Sequence, residues 1–283
     1  MNMKLRFTKM HGIGNDYIYF NAFDQEIPDP AELSRQLSDR RFGIGGDGII
    51  LICPSDIADA KMRMFNEDGS EGKMCGNGIR CVAKYLYDYA LVPEDQTTVT
   101  VETLSGIKTI ELTVEDGEAV AARVDMGAAI LSPADIPVIF DGESMIDQPL
   151  DVDGEVYRVT AVSMGNPHCV TFVDDVDGIE LEKIGPKFEH HPAFPERVNT
   201  EFVKVIDDHT LRMRVWERGS GETWACGTGA CATVVAACLN GYCRKGEDIT
   251  VHLRGGDLVI RYTDDTVIMT GPAATVFEGS VEV

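Results

Sequence analysis

The chain repeats itself, and that duplication constrains its fold more than any other feature. With an offset of 151 residues, the interval from Cys75 to Cys226, Lys61-Met62-Arg63-Met64-Phe65 lies over Arg212-Met213-Arg214-Val215-Trp216. Both segments alternate as a half-buried strand does. Asn66 to Met74 and Glu217 to Ala225 follow, nine residues each and rich in Gly, Ser and acid. Each leads into a cysteine with two glycines, Cys75-Gly76-Asn77-Gly78 and Cys226-Gly227-Thr228-Gly229. Past the cysteines both copies turn helical. Ile79, Val82, Ala83 and Leu86 recur at helical spacing in the first, while Ala230 to Leu239 is small and apolar all round, the pattern of a fully enclosed helix stopped at Gly241. A strand pair resumes after each helix: Val99 to Glu102 then Gly106 to Ile110, and Ile249 to His252 then Gly256 to Ile260, now offset by 150.

A weaker echo joins Asp29-Pro30-Ala31-Glu32-Leu33, an N-cap with proline at the first helical position, to the helical stretch from Gly178 to Phe188. The expectation is an α+β protein of two pseudo-symmetric domains, each a curved, barrel-like, mostly antiparallel sheet around a central helix. The boundary falls near Gly127, giving domains 1–127 and 128–271, with a last strand within 272–283 returning to complete the first. A length of 283 residues suits two such cores.

Composition narrows the function. The net charge is −22 and Lys and Arg form no basic stripe, so nucleic acid is a poor partner. Met1 to Thr8 has no apolar signal core and no apolar run reaches about 18 residues, so neither secretion nor membrane insertion is indicated and the cytoplasm is expected. The eight cysteines include no CxxC pair, and reduced thiols are expected. Their spacings are not those of zinc sites, and His190-His191 lies far from any of their clusters, so no metal is assigned. Gly43 to Gly48 fits G-x-G-x-x-G but leads into the strand Ile49 to Cys53 rather than a helix, the wrong context for a dinucleotide. No lysine stands in a recognisable Schiff-base setting, and no cofactor is assigned.

What remains is the pair of cysteines. A single cysteine of this kind has a plain alternative as a small buried hydrophobe, but recurrence at one topological point speaks for chemistry. A thiol of ordinary pKa, about 8.5, is expected to be lowered at a helix N-terminus, where unpaired backbone N–H groups stabilise the thiolate. The neighbouring glycines let backbone amides approach a carboxylate closely. One thiolate and one thiol make a two-base site, because inversion at carbon requires deprotonation on one face and reprotonation on the other.

Further blocks carry a resemblance: His11-Gly12-Ile13-Gly14-Asn15-Asp16, Gly43-Ile44-Gly45-Gly46-Asp47-Gly48, Asn66-Glu67-Asp68-Gly69-Ser70, Met164-Gly165-Asn166-Pro167-His168 and Glu217-Arg218-Gly219. In this order they resemble the diaminopimelate epimerases, cofactor-independent isomerases of lysine and peptidoglycan precursor biosynthesis, nearly end to end. The resemblance implies interconversion of L,L- and meso-diaminopimelate, with Cys75 and Cys226 as the catalytic acid/base pair. It implies that Gly76-Asn77 and Gly227-Thr228 hold the reacting carboxylate. Asn15, Asn66, Asn166, Asn199, Glu217 and Arg218 would contact the substrate, and His168 and Glu217 would tune the thiols. It implies a homodimer as well. At Gly48 some members carry glutamine, so no role is assigned there. Taken singly, the asparagines also fit turn residues, and Glu217-Arg218 a solvated pair.

Two other readings stand beside this one. A proline or hydroxyproline racemase shares paired cysteines but should lack the grip on a distal amino-acid end. A thiol-redox protein would join Cys75 and Cys226 in a regulatory disulfide.

Overall fold

The computed structural model describes residues 3–283; Met1 and Asn2, at the head of the Met1–Thr8 segment, lie outside the described residues. The chain divides into two compact units, Met1–Val124 with Thr270–Val283, and Asp125–Met269. The expected α+β class is what the structure has. No helix among the described residues is long and apolar enough to cross a membrane.

In chain order the first stretch runs β1 (Lys4–Gly12), β2 (Asn15–Asn21), α1 (Pro30–Ser38), β3 (Gly48–Cys53), β4 (Ala60–Asn66), β5 (Glu71–Gly72), α2 (Gly76–Asp88), β6 (Thr98–Thr103), β7 (Gly106–Glu115) and β8 (Glu118–Gly127). The second runs β9 (Gln148–Val152), β10 (Glu155–Ser163), β11 (Pro167–Phe172), α3 (Leu181–Glu189), β12 (Asn199–Asp207), β13 (Thr210–Glu217), β14 (Gly221–Thr223), α4 (Gly227–Leu239), β15 (Asp248–Leu253), β16 (Gly256–Tyr262) and β17 (Val267–Pro272). The chain ends with β18 (Ala274–Glu282), which pairs antiparallel with β1.

Within the first unit β1 pairs antiparallel with β2, β2 parallel with β3, β3 antiparallel with β4, β4 parallel with β6, and β6 antiparallel with β7. The second unit repeats this order and these senses through β10, β11, β12, β13, β15 and β16. The copy is close in register. Ile18 opposes Ile49, and Cys169 opposes Thr200, each 151 residues further on. The same offset carries β1 onto β10, α1 onto α3 and α2 onto α4. What reads as a weak echo between α1 and α3 in sequence is thus a full structural equivalence. It is faint because α1 is capped by Asp29, whose side chain accepts from the Glu32 amide, whereas Glu180 ahead of α3 makes no such bond.

Each unit has a helix on either side of its sheet. The first core packs Leu33 and Leu37 of α1 against Phe7, Ile18, Phe20, Ile49 and Phe65. The second packs Leu181 and Phe188 of α3 against Val159, Cys169 and Phe202. On the other side, α4 touches β10, β11, β12, β13, β15 and β16, and α2 touches β1, β2, β4, β6 and β7. One helix can meet that many strands only if the sheet curves round it. Such enclosure explains the composition of α4: Ala230 to Ala237 are all buried, and small side chains let six strands approach one axis.

Candidate active site

Both cysteines occupy the N-cap of their helix, with extended backbone that turns the side chain back over the first turn. Cys75 has φ −127° and Cys226 φ −121°. The sulfur of Cys75 accepts the Gly78 amide at 3.3 Å, and that of Cys226 accepts the Gly229 amide at 3.3 Å. These are the N-cap bonds usually made by a Ser or Asp oxygen. The first turn of each helix thereby aims its amides at sulfur.

In the first unit, half-buried Cys75 donates to Asn15 Oδ1 at 3.3 Å, and the Asn15 amide donates to Asp47 Oδ2 at 2.6 Å. Burial and the charge of Asp16 hold the Asp47 carboxyl above its usual range. Burial acts on Asp16 in the same direction, but hydrogen bonds from Arg40 and Lys9 outweigh it and the pKa falls. Gly76 and Asn77 are buried in the opening turn of α2. Arg80, one turn on and fully buried, donates to Gly76 O at 3.2 Å and to Pro272 O at 3.2 Å. The Asn66 side chain donates to Ser70 Oγ within its own turn at 3.0 Å. A side chain at Gly48 would collide with the Phe65 carbonyl.

In the second unit the structure gathers Asn166, His168, Glu217, Gly227 and Thr228 around Cys226. Thr228 Oγ1 lies 3.6 Å from the sulfur, and Asn166 donates to Thr228 Oγ1 at 3.3 Å. His168 Nε2 faces Asn166 Oδ1 at 3.1 Å. Half-buried Glu217 accepts a hydrogen bond from Thr223 Oγ1. Burial pushes the Glu217 carboxyl up, opposed by that bond and by His168. Asn199 is buried, donating to Pro167 O at 3.2 Å and accepting the Arg218 amide at 2.9 Å. The Arg218 guanidinium reaches Glu196 O at 3.1 Å.

One expectation from the sequence is reversed at Cys226. Burial, then the negative charges of Glu217 and Glu201, push this thiol well above the ordinary value, against bonds from Thr228 and Gly229. Desolvation disfavours the thiolate by more than one helix end recovers.

The diaminopimelate epimerase family model matches residues 7–132 and 160–276. The chain belongs to the diaminopimelate epimerase family. Members at high identity include the diaminopimelate epimerase of Acetivibrio thermocellus, 57% identical across 98% of this chain and 99% of that protein. That of Methanococcus maripaludis is 54% identical across 99% and 100%. The fold reaches further than the family. A hydroxyproline epimerase from Agrobacterium vitis superposes with a TM-score of 0.71 at 15% identity, covering 99% of this chain and 91% of that one. A PhzF-family phenazine biosynthesis protein from Bacillus anthracis gives 0.73 at 16%, covering 99% and 100%.

Two acids, one near the cysteine of each unit, were not singled out by sequence. Asp47 lies inside a quoted motif, yet nothing in its spacing shows that it holds Asn15. Glu201 had a signal: the repeat sets it over Ile50, and an acid opposite an isoleucine on a buried strand is out of place.

Proposed function

We propose that the chain interconverts L,L- and meso-2,6-diaminopimelate without a cofactor, one thiolate taking the α-proton and the other thiol returning a proton to the opposite face. The observation that carries this reading is the duplicated thiol site: two family cysteines, each capping an equivalent helix and each taking an amide N–H from the third residue on. Removing an α-proton leaves negative charge on the substrate carboxylate, and clustered amide donors at a helix end favour that charge. Gly76-Asn77 and Gly227-Thr228 are the donors in this reading. His168 and Glu217 set the protonation of the thiols.

Asn15, Asn66, Asn166, Asn199 and Arg218 grip the distal amino-acid end, and Glu217 contacts the substrate beside the thiols. Asn199 also holds the Arg218 backbone, and its second amide N–H is the one left for substrate in this reading. Asn66 reaches substrate by exchanging its bond to Ser70. Residues Met1–Val124 with Thr270–Val283 form one epimerase domain and Asp125–Met269 the other. The working form in this reading is a cytoplasmic homodimer, which light scattering of the purified protein checks.

The test is deuterium incorporation at the α-carbon of L,L-diaminopimelate in heavy water, with L-proline run in parallel. Exchange into diaminopimelate, lost in Cys75→Ala and Cys226→Ala, is the expected result. Racemisation of proline alone overturns the substrate, and a double-alanine variant of normal activity overturns the mechanism.

A further inference from the structure

Glu201 is fully buried, and its Oε2 has no hydrogen-bond partner. The other oxygen, Oε1, lies 2.7 Å from His168 Nδ1, and His168 is itself 0% exposed. A buried carboxylate with an orphaned oxygen is costly, and the fold does not require it. In the first unit the same strand position holds Ile50, and Tyr17 stands where the second unit has His168. The pairing is equivalent: Ile50 opposes Tyr19 across two parallel strands, and Glu201 opposes Val170.

The pair lies against the reactive helix end. A Cβ at Gly229 would meet Glu201 Oε1 at 2.7 Å and Cys226 Sγ at 3.1 Å, whereas at Gly78 the nearest atom is Ile50 Cδ1 at 2.6 Å. From His168 a chain of contacts runs through Asn166 and Thr228 to Cys226, with steps of 3.1, 3.3 and 3.6 Å. An imidazole that gives its Nδ1 proton to a carboxylate is fixed in both tautomer and ring orientation.

We propose that Glu201 is a positioning residue for the epimerisation, holding the His168 proton on Nδ1 so that Nε2 is the acceptor presented to the Asn166–Thr228–Cys226 chain, with the Asn166 amide turned so that its NH2 donates to Nε2 and its oxygen accepts from the Thr228 hydroxyl. This rests on the reading of Cys226 as an acid/base group. Ionisable neighbours of the pair are Glu217 on β13, Cys226 at the start of α4, and Cys169 beside His168 on β11. Cys169 stays a neutral thiol because burial, then the Glu201 charge, drives its pKa well up. The dyad is absent from the first unit, so it makes two duplicated thiols unequal.

The experiment is nitrogen NMR of the histidine rings in the full-length protein, alongside diaminopimelate turnover. Glu201→Ile copies the residue the other unit uses, and Glu201→Gln keeps the shape but adds a donor. In wild type the His168 proton is expected on Nδ1. In Glu201→Ile that preference is lost and kcat falls roughly 100-fold at little changed KM and Tm, within the range of general acid–base effects. Glu201→Gln should show both tautomers and an intermediate kcat. An unchanged His168 spectrum in either variant overturns the proposal, as does wild-type kcat in Glu201→Ile. Should wild type fail to exchange diaminopimelate while the ring still responds to Glu201, the positioning stands and the reaction falls.

Discussion

The Cys226 sulfur accepts the Gly229 backbone N–H at 3.3 Å, yet the same sulfur is buried and faces two carboxylates that raise its pKa. The cap and the surroundings oppose one another, and the surroundings prevail. At neutral pH the substrate-free protein therefore holds Cys226 as a thiol. Its alkylation by iodoacetamide, followed by peptide mass spectrometry, should be slow at pH 7 and rise about tenfold per unit through the alkaline range, since only the thiolate reacts. A rate independent of pH above 7 contradicts this.

Replacing Glu217 by Gln removes the larger of the two charges acting on Cys226, after burial itself. The alkylation profile should then move to lower pH. The substitution also bears on stability. The folded Glu217 pKa lies above its unfolded value, so the folded state binds that proton more tightly and stability is lost as pH rises from the ordinary carboxyl range through the folded pKa. Glu217→Gln lacks that loss, and the Tm difference between variant and wild type should grow in the variant's favour from pH 4 to pH 8.

Asp16 behaves in the opposite sense. Its folded pKa is depressed, so its contribution is present above the unfolded value and disappears as pH falls through the folded one. Its partner Lys9 is buried, 2.5 Å away. Asp16→Asn leaves that ammonium short of a counter-charge and should cost about 3 kcal/mol, as removal of one member of a buried pair does. Urea unfolding at pH 7 measures it; a loss under about 0.5 kcal/mol, the scale of an exposed pair, would show the interaction to be superficial.

Gly229→Ala puts a methyl group 2.7 Å from Glu201 Oε1 and 3.1 Å from Cys226 Sγ. Backbone and side chains must shift, at roughly 1–3 kcal/mol. Epimerase activity should fall further than stability does, because the displaced atoms are the thiol and the His168 partner. Circular dichroism melts and turnover, measured together, separate the two effects.

The arrangement around Cys226 shows where sequence reading stops. The residues from Asn166 to His168 and from Glu217 to Thr228 were legible because they fall in family blocks, but their hydrogen bonds were not. Asn199 reads as a substrate ligand from its place in the chain, and only folding shows that its side chain also ties Pro167 to Arg218. The bond from Asn66 to Ser70 within its own turn is also visible only in the folded chain.

Local periodicity and the 151-residue repeat determine this protein's strands, its cysteine-capped helices and its duplicated topology, because those depend on patterns within a few residues and on their recurrence. The sequence also determines its family, through ordered blocks of Gly, Asn and Cys. The protonation of Cys226 is decided only by tertiary structure. Folding brings Glu201 and Glu217 beside one buried sulfur, and desolvation and charge act through space rather than along the chain.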